Sequence, residues 1–174
     1  MTNLFRQLIP SLYVKSIYDI DLDALQAQKI KGILTDLDNT LVAWNSPEVS
    51  PELANWLAEL KRRGMKVCIV SNNKQPRVEG FARQLGLPSI FSAKKPIRKA
   101  FRQAMRLIGT QPHETVVIGD QIFTDVLGGN RMGLYTILVI PLAEKEFIGT
   151  KLLRAMERFV LKDLHRRGMV PWKN

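Results

Sequence analysis

Polar side chains stand at the points where hydrophobic runs stop, and their types suit phosphoryl chemistry. Asp36 and Asp38 close the run KGILTDL, Ser71 closes VCIV, Lys94 and Lys95 follow Ile90–Ala93, and Asp120 follows Val116–Gly119. Three carboxylates brought together repel, and burial of like charges raises their pKa values unless a cation intervenes. A hard divalent ion with oxygen ligands, magnesium above all, resolves that conflict. Lysine and the backbone amides at the strand ends can then hold an anionic oxygen group beside the ion. A phosphoryl group fits, because it needs charge neutralisation on its oxygens and a nucleophile in line. One carboxylate can attack phosphorus to give an acyl phosphate that water later cleaves. The second, two residues on, can protonate the leaving oxygen and then deprotonate the water. Aspartates at i and i+2 share one side of an extended segment, so this division of labour is geometrically possible.

Such a constellation needs elements that bring distant positions to one rim. Lys31–Leu37, Val67–Val70, Ile90–Ala93, Val116–Gly119 and Tyr135–Ile140 read as five short buried strands. Between them lie amphipathic helices. One is capped by Ser50 with Pro51 at its first position, carries Leu53, Trp56, Leu57 and Leu60, and stops at Gly64. A second runs from Pro76 to Gly86, a third from Ile97 to Gly109, and a short one precedes Tyr135. This alternation predicts an α/β fold, a mostly parallel sheet with helices on both faces. Ligands of such sheets bind beyond the carboxyl ends of the strands, where the polar residues fall.

These positions resemble the signatures of the haloacid dehalogenase-like (HAD) phosphatases. Asp36-Leu37-Asp38-Asn39-Thr40 is similar to the DxDxT turn, Ser71 ends the second motif strand, and Lys95 precedes Pro96. Gly119-Asp120-Gln121-Ile122-Phe123-Thr124-Asp125 is similar to GDxxxTD. Four motifs in order, each at a strand end, cover roughly residues 31–140. The resemblance implies a Rossmann-like HAD fold, with Asp36 as nucleophile and Asp38 as general acid/base. It implies that Asp36, Thr40, Ser71, Asn72 and Lys95 contact the phosphoryl group, Thr40 also steadying its turn, with Lys94 the weaker lysine candidate. The carboxylates of Asp36 and Asp120 and the backbone carbonyl of Asp38 are expected to ligate Mg2+. Asp125 is expected to bind a metal-held water or to orient Lys95. The short intervals after the first and second motifs leave no room for a large cap domain, and an open site suits a phosphate carried on something large.

The segments Leu8–Pro10, Ser16–Ile20 and Gly32–Val42 resemble the YqeG group of bacterial HAD proteins, which is similar to mitochondrial and plastid phosphatidylglycerophosphate phosphatases. That likeness implies hydrolysis of phosphatidylglycerophosphate to phosphatidylglycerol. Charge is compatible with an anionic lipid partner. The net charge is +10, yet residues 61–106 hold 13 Lys and Arg against Glu79 alone, while the rest carries 13 basic and 15 acidic residues. Part of that block is expected around the active-site mouth, where each cation near an anionic membrane contributes about 1 kcal/mol.

A single domain over residues 1–174 is expected, with an extension at 1–30, a catalytic core at about 31–140 and a basic amphipathic helix at about 145–168. In that helix Ile148, Leu152, Met156, Phe159 and Val160 form one side, with Lys151, Arg154, Arg158 and Lys162 beside it. It suits either an interfacial helix or one packed on the sheet with its basic face in water. Leu4, Phe5, Leu8, Ile9, Leu12 and Tyr13 pose the same choice. The longest uncharged stretch, Met132–Ala143, has 12 residues, against about 20 for a membrane span. Residues 1–10 lack the features of a secretory signal, so a cytoplasmic protein, peripheral on the inner membrane face, is expected. One cysteine, Cys68, excludes an internal disulfide and a multi-cysteine zinc site; mid-strand, it reads as an apolar filler. His113 and His165 read as surface or capping residues, Trp44 as a substrate contact or a core residue, and Gly128-Gly129-Asn130 as a helix end or a segment approaching the site. Trp172 has no assigned role. Two other functions fit the same residues: a capless phosphatase of a nucleic-acid end, sugar phosphate or phosphoprotein, and a basic RNA-binding or assembly protein on an inactive HAD fold.

Overall fold

A computed structural model describes residues 3–46, 48–143 and 151–170, with the side chains of residues 3–4 and 151–154 outside the description. Six strands, Leu12–Val14 (β1), Gly32–Thr35 (β2), Lys66–Val70 (β3), Ser89–Ile90 (β4), Thr115–Gly119 (β5) and Tyr135–Val139 (β6), form one parallel sheet in the order β1-β6-β5-β2-β3-β4. β2 lies at its middle, with Ile33 between Val67 and Val116. Side chains alternate between the two faces, so the apolar runs feed two cores. Ile33, Val67, Ile69 and Val116 face one cluster, and Leu34, Cys68, Val70 and Val117 face the other.

The helices cover both faces. Asn3–Arg6 (α1) and Leu22–Ala27 (α2) precede β2. Pro51–Arg62 (α3) starts where the Ser50 hydroxyl accepts the Leu53 N–H at 3.1 Å, and it buries Leu53, Trp56 and Leu60 against the first cluster. Gln75–Leu85 (α4) adds Val78 and Phe81 on that side. Arg98–Ile108 (α5) closes the opposite face with Ala100, Phe101, Ala104, Met105 and Ile108. A π-helical turn, Ile122–Val126, runs into Leu127–Asn130 (α6), and Lys151–Arg166 (α7) is the last helix described.

Several boundaries differ from the sequence expectation. The first expected strand stops at Thr35 because Asp36 and Leu37 already belong to the turn, where the amides of Leu41 and Val42 donate to Leu37 O. The third expected strand is reduced to Ser89–Ile90 because Phe91 onward turns away. β1 was not expected; its three residues are only half-buried and its partner is far along the chain, Leu12 beside Ile137. Leu8 enters a small cluster with Ile122, Val126 and Leu138, and Leu12 and Tyr13 pack on these cores, so that part of the N-terminal stretch is committed to packing.

The apolar side expected in the last helix is split. Val160 and Leu161 pack, Leu164 is fully buried, and Glu157 is buried as well, whereas Met156 and Phe159 lie outside at 51% and 76% exposure. Glu157 turns inward because its Oε1 accepts the Phe123 N–H at 3.3 Å. Residues 145–150, Ile148 among them, Trp172, and the side chains of Leu4, Lys151, Leu152 and Arg154 lie outside the described residues.

Candidate active site

Chain direction across the sheet reverses beside β2: the path steps outward to β3 and β4, then returns to β5 and β6 on the other side. The carboxyl ends of β2 and β5 therefore bound a crevice, the place where open α/β sheets bind ligands. Asp36 leaves β2 and Asp120 leaves β5 at that crevice. The Asp36 amide still donates to Ile118 O at 2.9 Å, so the two strand ends are stitched together next to both carboxylates.

Carboxylate oxygens of Asp36, Asp120 and Asp125 lie within 4.8 Å of one another, all three residues buried. Asp36 Oδ1 accepts the Leu37 N–H at 2.8 Å and sits 3.1 Å from Lys95 Nζ, which fixes the plane of the carboxylate. Lys95 Nζ also donates to Asp125 Oδ1 at 2.7 Å, and both side chains are 1% exposed. Asp125 Oδ2 accepts from the Thr124 hydroxyl and the Gln121 N–H. Gly119 makes this packing possible, because a Cβ there would meet the Asp125 side chain at 2.2–2.5 Å. Thr40 is buried and directs its hydroxyl to Asp120 Oδ1 at 3.2 Å. Of the two candidate lysines, Lys95 reaches the carboxylates, whereas Lys94 is exposed.

The third strand end supplies Ser71, buried, whose Oγ accepts the Asn73 N–H at 3.1 Å. The Asn72 side chain ties this turn to the lysine loop, its Oδ1 accepting the Lys95 N–H at 2.7 Å. Asp38 stands slightly outside the buried group. Its Oδ1 accepts from Arg77 Nε at 2.6 Å and its Oδ2 from Asn73 Nδ2 at 2.8 Å. Arg77 also donates to the carbonyls of Ser46 and Ala43 and lies over the Phe81 ring at 5.1 Å, so one guanidinium joins Asp38, the loop after β2 and α4. Sequence reading assigned Arg77 and Asn73 no part. Both fall in the basic 61–106 block, but nothing in their spacing points at Asp38.

Burial alone would lower the Lys95 pKa, yet the carboxylates of Asp125 and Asp36 outweigh it and hold the ammonium above its ordinary range. Burial pushes the Asp125 carboxyl up, against the pull of Lys95, and the charge on Asp36 pushes the same way. The convergence of three buried carboxylates into an all-oxygen donor set fits a hard divalent cation.

Sheet order, crevice and converging motif ends together define one class: the chain belongs to the haloacid dehalogenase-like hydrolases, the family that residues 13–133 match. Within it the likeness is to phosphatases. The chain is 47% identical over 165 residues to "Probable phosphatase YqeG" of Bacillus subtilis (strain 168), covering 95% of this chain and 96% of that protein. It is 30% identical over 175 residues to the chloroplastic/mitochondrial phosphatidylglycerophosphate phosphatase 1 of Arabidopsis thaliana, covering 94% of this chain but only 50% of that protein. Among solved structures, the cobalt-bound deoxy-D-mannose-octulosonate 8-phosphate phosphatase of Haemophilus influenzae shares the fold at a TM-score of 0.51 and 15% identity, over 79% of this chain and 90% of that one.

Cys68, the histidines and the glycine pair fall away from the crevice. Cys68 is fully buried and burial pushes its thiol up to about 12. His113 lies just before β5, at the opposite end of the sheet, and His165 Nδ1 sits 3.3 Å from Val170 O. Gly128 and Gly129 lie in α6, where a Cβ would strike Phe101 and Thr136; they serve close helix packing. Trp44 is 37% exposed on the loop after β2, so it is not a core residue. Among the described residues, no helix is long and apolar enough to cross a membrane.

Proposed function

We propose that the chain is a Mg2+-dependent phosphomonoesterase that acts through a phospho-aspartate at Asp36, with phosphatidylglycerophosphate as its substrate. The observation that carries this reading is the convergence of Asp36, Asp120 and Asp125 within 4.8 Å around the Lys95 ammonium. Asp36, Asp120 and the backbone carbonyl of Asp38 would hold the cation, which supplies charge neutralisation for the phosphoryl oxygens.

The chain's own groups divide the remaining work. Lys95 fixes one Asp36 oxygen, leaving the other to attack phosphorus as the bond to the leaving oxygen breaks. Asp38 turns an oxygen from Arg77 or Asn73 to the leaving oxygen and gives it a proton. Asp38 then takes a proton from the water that attacks phosphorus, which frees phosphate and restores the Asp36 carboxylate. The Ser71 hydroxyl and the Asn72 amide hold phosphoryl oxygens, and Thr40 keeps Asp120 oriented. The lipid substrate is supported by the name of the Arabidopsis relative and by the exposed cations Lys74, Lys94, Arg98 and Lys99 around this end of the sheet.

Phosphate release from phosphatidylglycerophosphate, compared with glycerol 3-phosphate and other small monoesters, tests this reading. The expected result is Mg2+-dependent release with clear preference for the lipid, abolished in Asp36→Asn and by chelation. Equal turnover of soluble esters would replace the lipid reading with a small-ester phosphatase, and release surviving Asp36→Asn would remove the mechanism.

A further inference from the structure

Four of the eight large apolar side chains left exposed among the described residues lie at the carboxyl end of the sheet. Trp44 is 37% exposed, Phe91 37%, Ile97 55% and Leu142 48%. Each leaves a loop that follows a strand: β2 for Trp44, β4 for Phe91 and Ile97, β6 for Leu142. Hydrogen bonds hold these loops together. Asn39 Oδ1 accepts the Trp44 N–H at 3.2 Å, and Asn39 O accepts the Leu142 N–H at 3.1 Å. The Ser92 N–H donates to Asn73 O at 2.9 Å, and Asn73 in turn donates to Asp38. The four apolar groups thus border the mouth above Asp36. Of the non-glycine residues with left-handed backbone among those described, Asn39 (φ 63°), Ser92 (φ 47°) and Lys94 (φ 53°) lie in these same loops. Their conformations are ones that the surrounding structure must hold in place.

Scattered single hydrophobes on a protein surface need no explanation, but a group around one opening does. The same loops and the helix starts behind them expose Lys74, Lys94, Arg98 and Lys99, against the exposed carboxylates Glu48 and Glu52 of the loop after β2 and the start of α3. Apolar tips ringed by cations match an anionic lipid surface, where hydrophobic groups enter the headgroup boundary and lysine and arginine meet the lipid charge. We infer that the carboxyl-end rim, with Trp44, Phe91, Ile97 and Leu142 as its apolar contacts, docks the protein on an anionic bilayer and turns the mouth over Asp36 toward the lipid. The inference deepens the proposed lipid substrate and rests on that reading for its purpose, but it is measured by binding and not by turnover.

The test is co-sedimentation of the full chain with phosphatidylcholine vesicles, with and without phosphatidylglycerol, at low and high salt. Expected is binding that requires phosphatidylglycerol and weakens with salt. The double variant Phe91→Ser/Ile97→Ser should lose about tenfold or more in partitioning, while hydrolysing soluble p-nitrophenyl phosphate like the parent. Lys94→Gln/Arg98→Gln/Lys99→Gln should lose the dependence on phosphatidylglycerol. Met156→Ser/Phe159→Ser, on the outer side of α7, should bind as the parent does. No sedimentation at low salt, or loss confined to the α7 variant, would overturn the inference, as would RNA capturing the rim where vesicles do not. Asp36→Asn should bind vesicles normally. If it does, and the parent releases no phosphate from any lipid, the substrate reading falls while the docking face stands.

Discussion

The two ends of the sheet use ion pairs of similar length at different exposure. At the amino end Lys31 meets Glu114 at 2.7 Å, and Arg62 meets Glu59 at 2.6 Å with side chains 72% and 33% exposed. At the carboxyl end Lys95 meets Asp125 at the same 2.7 Å, with both side chains 1% exposed. Distance does not separate these pairs; water does. An exposed pair is screened and must hold two long side chains still, so its net contribution is small. A buried pair has already lost its hydration, and removing one partner leaves the other uncompensated. The amino end can therefore change with little consequence, whereas the carboxyl end is a charge arrangement that must stay whole.

Lys95→Met breaks the comparison hardest. It leaves the buried carboxylates of Asp36 and Asp125 without their ammonium, and the expected cost is about 3–5 kcal/mol of stability, read from urea unfolding, together with loss of phosphate release. A stability within experimental error of the parent would show that the buried pair is no different from the surface ones. A cation on the carboxylates gives the next effect. Adding Mg2+ at about 100 times its dissociation constant should stabilise the parent by about 2.7 kcal/mol, seen as a raised thermal midpoint. Asp120→Asn, which removes one of the three converging carboxylates, should respond far less.

Arg77 lies between the extremes. Its side chain is 24% exposed and that of Asp38 is 19% exposed, and the guanidinium is shared among a carboxylate, two carbonyls and a ring. Under the proposed mechanism its role is to position Asp38, so Arg77→Met should act on proton delivery to the leaving oxygen. With an alkyl phosphate, kcat/KM, which reports the steps up to departure of the leaving group, should fall on the order of 10²-fold. With p-nitrophenyl phosphate, whose leaving group needs no proton, kcat/KM should change little. Equal losses on both esters would mean that Arg77 only holds the loop after β2.

Asp36, Asp38, Ser71, Lys95 and Asp120 were legible because each sits at the end of a short apolar run, and strand ends are local signals. Arg77 was not. It is one of 13 basic residues in the 61–106 block, and it reaches Asp38, 39 positions earlier, only through the packing of α4 on the first core. β1 escaped for a related reason: its strand character comes from pairing with β6, 125 positions away at Leu12 and Ile137, and not from its own three residues. α7 misled the periodicity argument because a glutamate fills an inward position. The distant Phe123 amide, which donates to that carboxylate, helps make the placement tolerable. Long-range contacts, not local propensity, decided every one of these cases.

The smallest effect concerns the amino end, where Arg62 first and then Arg63 pull Glu59 from an ordinary 4.5 down to about 2. A carboxyl whose folded-state pKa is depressed stabilises the fold above its unfolded pKa, and that contribution disappears as pH falls from 4.5 toward 2. Glu59→Gln should therefore show a slightly lower urea midpoint than the parent at pH 6, and the two curves should merge as pH drops through this window. In 1 M salt, where the screening length is about 3 Å, the gap should shrink even at pH 6. A gap that survives both acid and salt would assign Glu59 a structural role that solvent does not reach, and the contrast between the two ends of the sheet would lose its physical basis.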